Sequence, residues 1–327
     1  MKHYILIFNL LLFQIIFSQQ CDEVKSFSII KEVVNEISGD DYEGRKTGEM
    51  GGEKAAIYIK NYLKNLFKED NNVDIYSQTF EFFISKNPHL KTKDVKKNAE
   101  NIICFIDNKQ SETVIIGAHY DHLGYGDFGS LYASEQSLIH NGADDNASGV
   151  ALGLSLMHSL YHSSKMYNYL FIAFDGEEMG LYGSSFFCKN PTLDFKNVRF
   201  MINFDMVGRL NDNKDLAING VGTSSHWSSL INKINEEYQF QLILSESGVG
   251  PSDHSSFYYQ NIPAIHFFTG QHTDYHKPTD DSDKINYKGI QDLLCFVKDM
   301  IQKSSSIENF DFQETKNNTN NTPSFSV

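Results

Sequence analysis

"TVIIGAHYDH", Thr113–His122, decides how the chain folds. Its first half is continuously apolar, without the polar alternation of a strand that keeps one face in water, so it reads as a strand buried on both faces at the centre of a sheet. Its second half turns abruptly polar, with His119, Asp121 and His122 within four residues. "NIICFI" (101–106) precedes it as a second strand. Further along, Tyr169–Phe174, "VRFMINFDMVGR" (198–209), Leu216–Asn219, Gln241–Leu244 and "PAIHFFTG" (263–270) read as strands. Helical patterns alternate with them over "NASGVALGLSLMHSLYH" (146–162), Leu181–Phe187, Ser224–Tyr238 and Asn286–Lys303. Residues 24–38 and Glu53–Phe67 are amphipathic helices, and Val73–Phe83 alternates as an edge strand should. Ser85–Lys97 reads as a polar loop. The expected fold is α/β: a single domain with a central, mostly parallel mixed sheet and helices on both faces.

Composition agrees. The chain has 327 residues, 40% of them hydrophobic, with 25 Phe and 17 Tyr, enough for one large core. A formal net charge of −14 argues against nucleic-acid binding. Lys2 and His3 lead into an apolar stretch, Tyr4–Phe17, too short for a membrane span of about 20 residues but suited to a signal peptide over residues 1–19. The expected product is a secreted or periplasmic monomer without a stable membrane partner, lipid anchoring at Cys21 being the lesser alternative. Cys104, Cys188 and Cys295 are too widely spaced for a disulfide framework and read as buried thiols. The domain is expected over residues 22–303, followed by a flexible polar tail, 304–327.

Ligands of such sheets bind beyond the carboxyl ends of the strands, and the charged residues collect there. Strand 113–118 leads to His119 and Asp121, strand 169–174 to Asp175, Glu177 and Glu178, strand 198–204 to Asp205, and strand 263–268 to "TGQHTDYHKPTDD" with His276. Asp144 and Asp145 precede a helix start. Each has an ordinary structural explanation alone: N-capping for the Asp pair, a solvated turn for the Glu pair. Together they bring imidazoles and carboxylates to one rim. Two imidazoles and three carboxylates suit one or two divalent transition metals, with zinc the natural candidate. Of two adjacent glutamates on an extended segment, one can ligate while its neighbour acts as general base.

The motifs "GAHYDH", "NGADDNASGVA", "FDGEEMGLYGS", "NFDMVGR", "SDHSSF" and "DYHKPTDD", in this order, resemble the secreted dinuclear zinc aminopeptidases of metallopeptidase family 28, over about residues 24–303. The resemblance implies two zinc ions, His119 and Asp205 holding one, Glu178 and His276 the other, and Asp145 bridging them through a residue followed by a cis peptide. It implies Glu177 as general base, Asp121 orienting His119, and Tyr275 donating to the oxyanion. The implied reaction is hydrolysis of peptide bonds at free N-termini of peptides or proteins. His122 stands where many members have Ser and reads as a rim residue. Asp280 is expected to brace His276, and Asp253–His254 either to orient pocket groups or to cap a helix. His140, His226, His266 and His272 carry no expected role. Two alternatives stand beside this reading. One is glutaminyl cyclase, with a single zinc on Asp145, Glu178 and His276. The other is a non-catalytic receptor-like relative.

Overall fold

The computed structural model describes residues 24–68, 70–84, 95–134 and 136–316. The expected signal peptide, Cys21 and residues 317–327 of the expected tail lie outside the described residues. Among the described residues, eight strands form one sheet in the order β1-β2-β4-β3-β5-β8-β6-β7. β1 (Val73–Ile84) and β2 (Val95–Ile106) make an antiparallel hairpin at one edge. β3 (Thr113–His119), β4 (Asn168–Phe174), β5 (Val198–Phe204) and β8 (Ala264–Phe268) are the parallel centre. β6 (Asp215–Asn219) runs antiparallel to β8 and parallel to β7 (Gln241–Ser245) at the other edge. Every residue of β3 and β4 is buried, as the unbroken apolar run of "TVIIGA" predicts.

Helices cover both faces because alternate residues of these strands point to opposite sides. On one side Val114, Ile116 and Phe171 join the larger core with α1 (residues 24–37), α2 (Met50–Phe67), α3 (Gly149–Ser163), α5 (Trp227–Tyr238) and α7 (Tyr287–Ser304). On the other, Ile115, Leu170, Ile172 and Met201 meet Phe187 of α4 (Tyr182–Lys189) and Phe257 of α6 (His254–Tyr258). α2 buries Ala55, Ile59 and Leu63 at four-residue intervals, the stripe that makes it amphipathic. Cys104 and Cys188 are buried thiols whose pKa burial raises. Among the described residues no helix is long and apolar enough to cross a membrane.

Two segments differ from the sequence reading. β2 begins at Val95, inside the polar stretch read as loop, because Lys96 and Asn98 point to solvent while the backbone pairs with β1. Residues 305–316 pack on the body. Phe310 is buried against Trp227 and Phe200, with ring centroids 4.6 and 4.9 Å away. Asp311 accepts from the Ser224 and Ser225 hydroxyls at 2.8 and 2.9 Å. Average polarity concealed the aromatic residues that anchor the segment, Phe310 and Phe312, the second with its ring centroid 5.7 Å from that of Tyr258.

The parallel register sets up the site. His119 lies opposite Phe174 and Phe204 opposite Phe267, so the central strands end almost level and release their polar residues on one side of the sheet.

Candidate metal centre

Five elements meet at that edge. His119 is the last residue of β3, Glu177 and Glu178 lie in the turn after β4, and Asp205 follows β5 directly. Asp145 sits in the irregular turn Ala143–Ser148 leading into α3, and the Asp145–Asn146 peptide is cis, as the resemblance implied. His276 lies in the loop after β8 at a positive φ of 54°.

The donor atoms form two sets sharing one carboxylate. His119 Nε2 is 3.3 Å from Asp205 Oδ1 and 3.4 Å from Asp145 Oδ1. His276 Nε2 is 3.2 Å from Asp145 Oδ2 and 3.3 Å from Glu178 Oε2. Asp145 thus turns one oxygen to each histidine. A tetrahedral zinc with ligands at about 2.0–2.1 Å sets neighbouring donors roughly 3.3–3.4 Å apart, close to the spacing of each of these histidine–carboxylate pairs. Among the described residues, the groups of three whose donor atoms all lie within 4.8 Å of one another are His119, Glu177 and Asp205, and His122, Asp145 and Glu178. The other ring nitrogens are engaged. His276 Nδ1 is 2.9 Å from the Gly129 carbonyl and His119 Nδ1 3.2 Å from that of Asp121. Each carbonyl accepts from Nδ1–H and leaves Nε2 as the lone pair facing the cage.

The electrostatics call for a cation. Burial, reinforced by Glu178, raises the Asp145 pKa. Burial also pushes Glu177 well above the ordinary carboxylate range; His119 works against this, while Asp205 and Glu178 add to it. Burial opposes charge on His119 and His276, yet the carboxylates win: Glu177 and Asp205 hold His119 well above its ordinary value, and Asp145 and Glu178 raise His276 to about 10. A bound cation would offset the crowding of these carboxylates.

Asp121 is fully buried, and its carboxylate faces both His119 and the turn that carries the two glutamates. Oδ1 stands 3.6 Å from His119 Nδ1 and accepts the Glu177 backbone N–H at 3.0 Å; Oδ2 accepts that of Glu178 at 3.3 Å and the Thr47 hydroxyl at 2.9 Å. The carboxylate therefore fixes the turn carrying both glutamates, and together with the backbone carbonyl of Asp121 it faces His119 Nδ1. Tyr275 lines the cavity and stacks on His276 with centroids 3.9 Å apart. Burial, with Asp145 and Glu178 next, raises its pKa and keeps the phenol protonated. The cavity, about 440 Å³, continues past Asn219, Ser245, His266 and Phe268.

His122 is not on the rim. It is buried, with Nδ1 2.7 Å from Glu178 Oε1, because the backbone after β3 turns inward, its N–H bonded to the Arg45 carbonyl. Asp280 does not brace His276: its Oδ2 accepts the backbone N–H groups of Asp144 and Asp145 at 2.9 and 3.1 Å, which orients the bridging residue instead. Asp253 is buried and makes no side-chain cap to α6. His272 pairs with Asp144 at 3.1 Å, and His266 lines the cavity.

Two supports were missed in the sequence. Arg45 is fully buried and donates to the carbonyls of Ile37, Tyr120 and Gly142 at 2.7–2.9 Å, tying the segment after β3 to the one before Asp145. Asn146 donates to the Phe204 carbonyl at 2.9 Å and accepts from the N–H groups of Met206 and Gly149 at 3.2 and 3.0 Å, fastening Asp205 beside Asp145. The one available signal was Asn146's place directly after the Asp pair.

A level parallel sheet edge thus carries two histidine–carboxylate sets around one shared aspartate. The model of Peptidase family M28 matches residues 101–301, and the chain belongs to that family. It is 30% identical over 173 residues to a probable leucine aminopeptidase of Arthroderma otae, a match covering 50% of this chain and 45% of the relative. It is 28% identical over 275 residues to aminopeptidase YwaD of Bacillus subtilis, covering 76% and 57%. The chain therefore spans only about half the length of these curated relatives. Its fold is that of the aminopeptidase from Aneurinibacillus sp. strain AM-1, with a TM-score of 0.68 at 17% identity over 89% of this chain and 98% of that one.

Proposed function

We propose that the chain is a zinc-dependent exopeptidase that removes residues from free N-termini of peptides or proteins, exported after loss of residues 1–19. The observation that carries this reading is the pair of Asp145 oxygens, 3.4 Å from His119 Nε2 and 3.2 Å from His276 Nε2. His119, Asp205 and Asp145 Oδ1 would hold one zinc; Glu178, His276 and Asp145 Oδ2 the other. Bound there, zinc supplies Lewis acidity and makes water a stronger acid.

The protein's own groups do the rest. Glu177, buried beside this cluster with a raised pKa, accepts the proton of the attacking water and passes it to the leaving amine. Asp121 holds the Glu177 backbone, so the carboxyl is aimed before substrate arrives. Tyr275, kept protonated, donates to the oxygen on which negative charge develops. The carboxylate-rich wall attracts a free α-ammonium group and favours unblocked termini.

Glutaminyl cyclase chemistry on one zinc would leave His119 and Asp205 without a ligand role, yet they sit at 3.3 Å with Nε2 turned inward. A receptor-like relative would lack ligands or the base, and all are present. Metal analysis together with turnover of unblocked and N-acetylated peptides tests the proposal. Two zinc ions per chain with cleavage of unblocked peptides alone is expected. One zinc with pyroglutamate formation, or no cleavage with both sites filled, would overturn it.

A further inference from the structure

The histidine–carboxylate spacings within the two donor sets are 3.2–3.4 Å, whereas His122 Nδ1 lies only 2.7 Å from Glu178 Oε1. That is too short for two ligands of one tetrahedral zinc, which stand roughly 3.3–3.4 Å apart, and it is an ordinary hydrogen-bond length. The other neighbouring carboxylate oxygen, Asp145 Oδ2, is 3.9 Å away. Glu178 is therefore divided: Oε1 faces His122 and Oε2 faces His276. A carboxylate with both oxygens free could swing or chelate; one with Oε1 occupied has a single oxygen to offer.

The surroundings hold the ring in this orientation. His122 Nε2 is buried without a partner, so turning Nδ1 towards Glu178 leaves one ring nitrogen unpaired, a cost accepted for the contact. Gly142, at a φ of 55°, lies against the ring: a Cβ there would come 2.5 Å from His122 Cδ2. The edge of the ring meets His276, with centroids 5.8 Å apart at 75°.

We propose that His122 is a positioning residue of the metal centre. Its Nδ1–H donates to Glu178 Oε1, presents Oε2 alone to the cation, and so sets the affinity of the Glu178–His276 half. This rests on the dinuclear reading above. Partners one step removed from a ligand typically change metal affinity about 10–100-fold when lost.

The test is zinc binding, read without turnover. Wild type, His122→Ala and His122→Asn are stripped, checked for fold by circular dichroism, and titrated with zinc against a chromophoric chelator. Asn can place its Nδ2 where the imidazole has Nδ1. The expected result is two ions in wild type, one of them weakened about 10–100-fold in His122→Ala, and recovery to near wild-type affinity in His122→Asn. Unchanged binding by His122→Ala, or His122→Asn as weak as His122→Ala, overturns the role. If His122→Ala does not fold, His122→Asn decides alone, near wild-type affinity supporting the role and weakened affinity overturning it. Wild type taking up fewer than two ions would instead break the dinuclear reading itself.

Discussion

The two halves of the centre are built differently. The His119–Asp205 half stands on the last residue of β3 and the first residue beyond β5, adjacent central strands whose ladder already determines where the side chains go. The Glu178–His276 half stands on two turns. Its geometry comes from hydrogen bonds: Asp121 on the Glu178 backbone, His122 on its carboxylate, and the Gly129 carbonyl on His276. Strand-borne groups open only with the core, whereas loop-borne groups can open locally at much lower cost. One half is thus positioned by the fold, the other by a polar network that substitutions can dismantle piecemeal.

That contrast sets the order of the predictions. Asp145→Ala removes the carboxylate that serves both halves, one oxygen to each. It is expected to abolish stable binding of both ions and reduce turnover roughly 10³-fold or more, as loss of an essential catalytic unit does; metal analysis after gel filtration finding one ion retained would separate the halves instead. Glu177→Gln leaves both donor sets intact. Two ions should remain while turnover falls about 10²–10⁴-fold, and near-normal steady-state rates would refute the base assignment. Graded chelation should empty the loop-borne half first, at about tenfold lower chelator concentration, a gap of about 1.4 kcal/mol. Simultaneous release, or the reverse order, followed by zinc analysis of each fraction, would break the comparison.

The smallest effect lies away from the centre. Burial opposes charge on Asp311, but the Ser224 and Ser225 hydroxyls hold its pKa below the ordinary value. A depressed folded pKa contributes stability above the unfolded value, about 4, and loses it as pH falls through the lower folded one. Asp311→Asn should therefore narrow the stability difference between pH 6 and pH 3 by about 1 kcal/mol or less in urea unfolding. It should leave zinc affinity of both halves unchanged; a shift in either would tie residues 305–316 to the centre.

The strand-borne half was legible in sequence for the same physical reason that the ladder places its side chains. An unbroken apolar run such as Val114–Ala118 has to be buried, so the polar residues at its end have a predictable place. The contributions that escaped reading share another trait. Arg45 bonds to backbone carbonyls, which carry no residue identity, so no pattern announces its partners. His122 follows Asp121 in what resembles an exposed turn, and only the inward path of the backbone buries it. Asp280 acts on backbone N–H groups of a segment more than 130 positions away. Phe310 and Phe312 are anchors diluted by polar neighbours.

The Thr47–Asp121 and Arg45 contacts have a practical consequence. Both donors lie upstream of the family match, which begins at residue 101, yet one steadies the hinge from which the two glutamates project and the other joins the strand-end segment to the bridging turn. A fragment cut to the matched span would keep every metal-facing side chain and lose the brackets that aim them. Expression work on this molecule should therefore begin no later than α1.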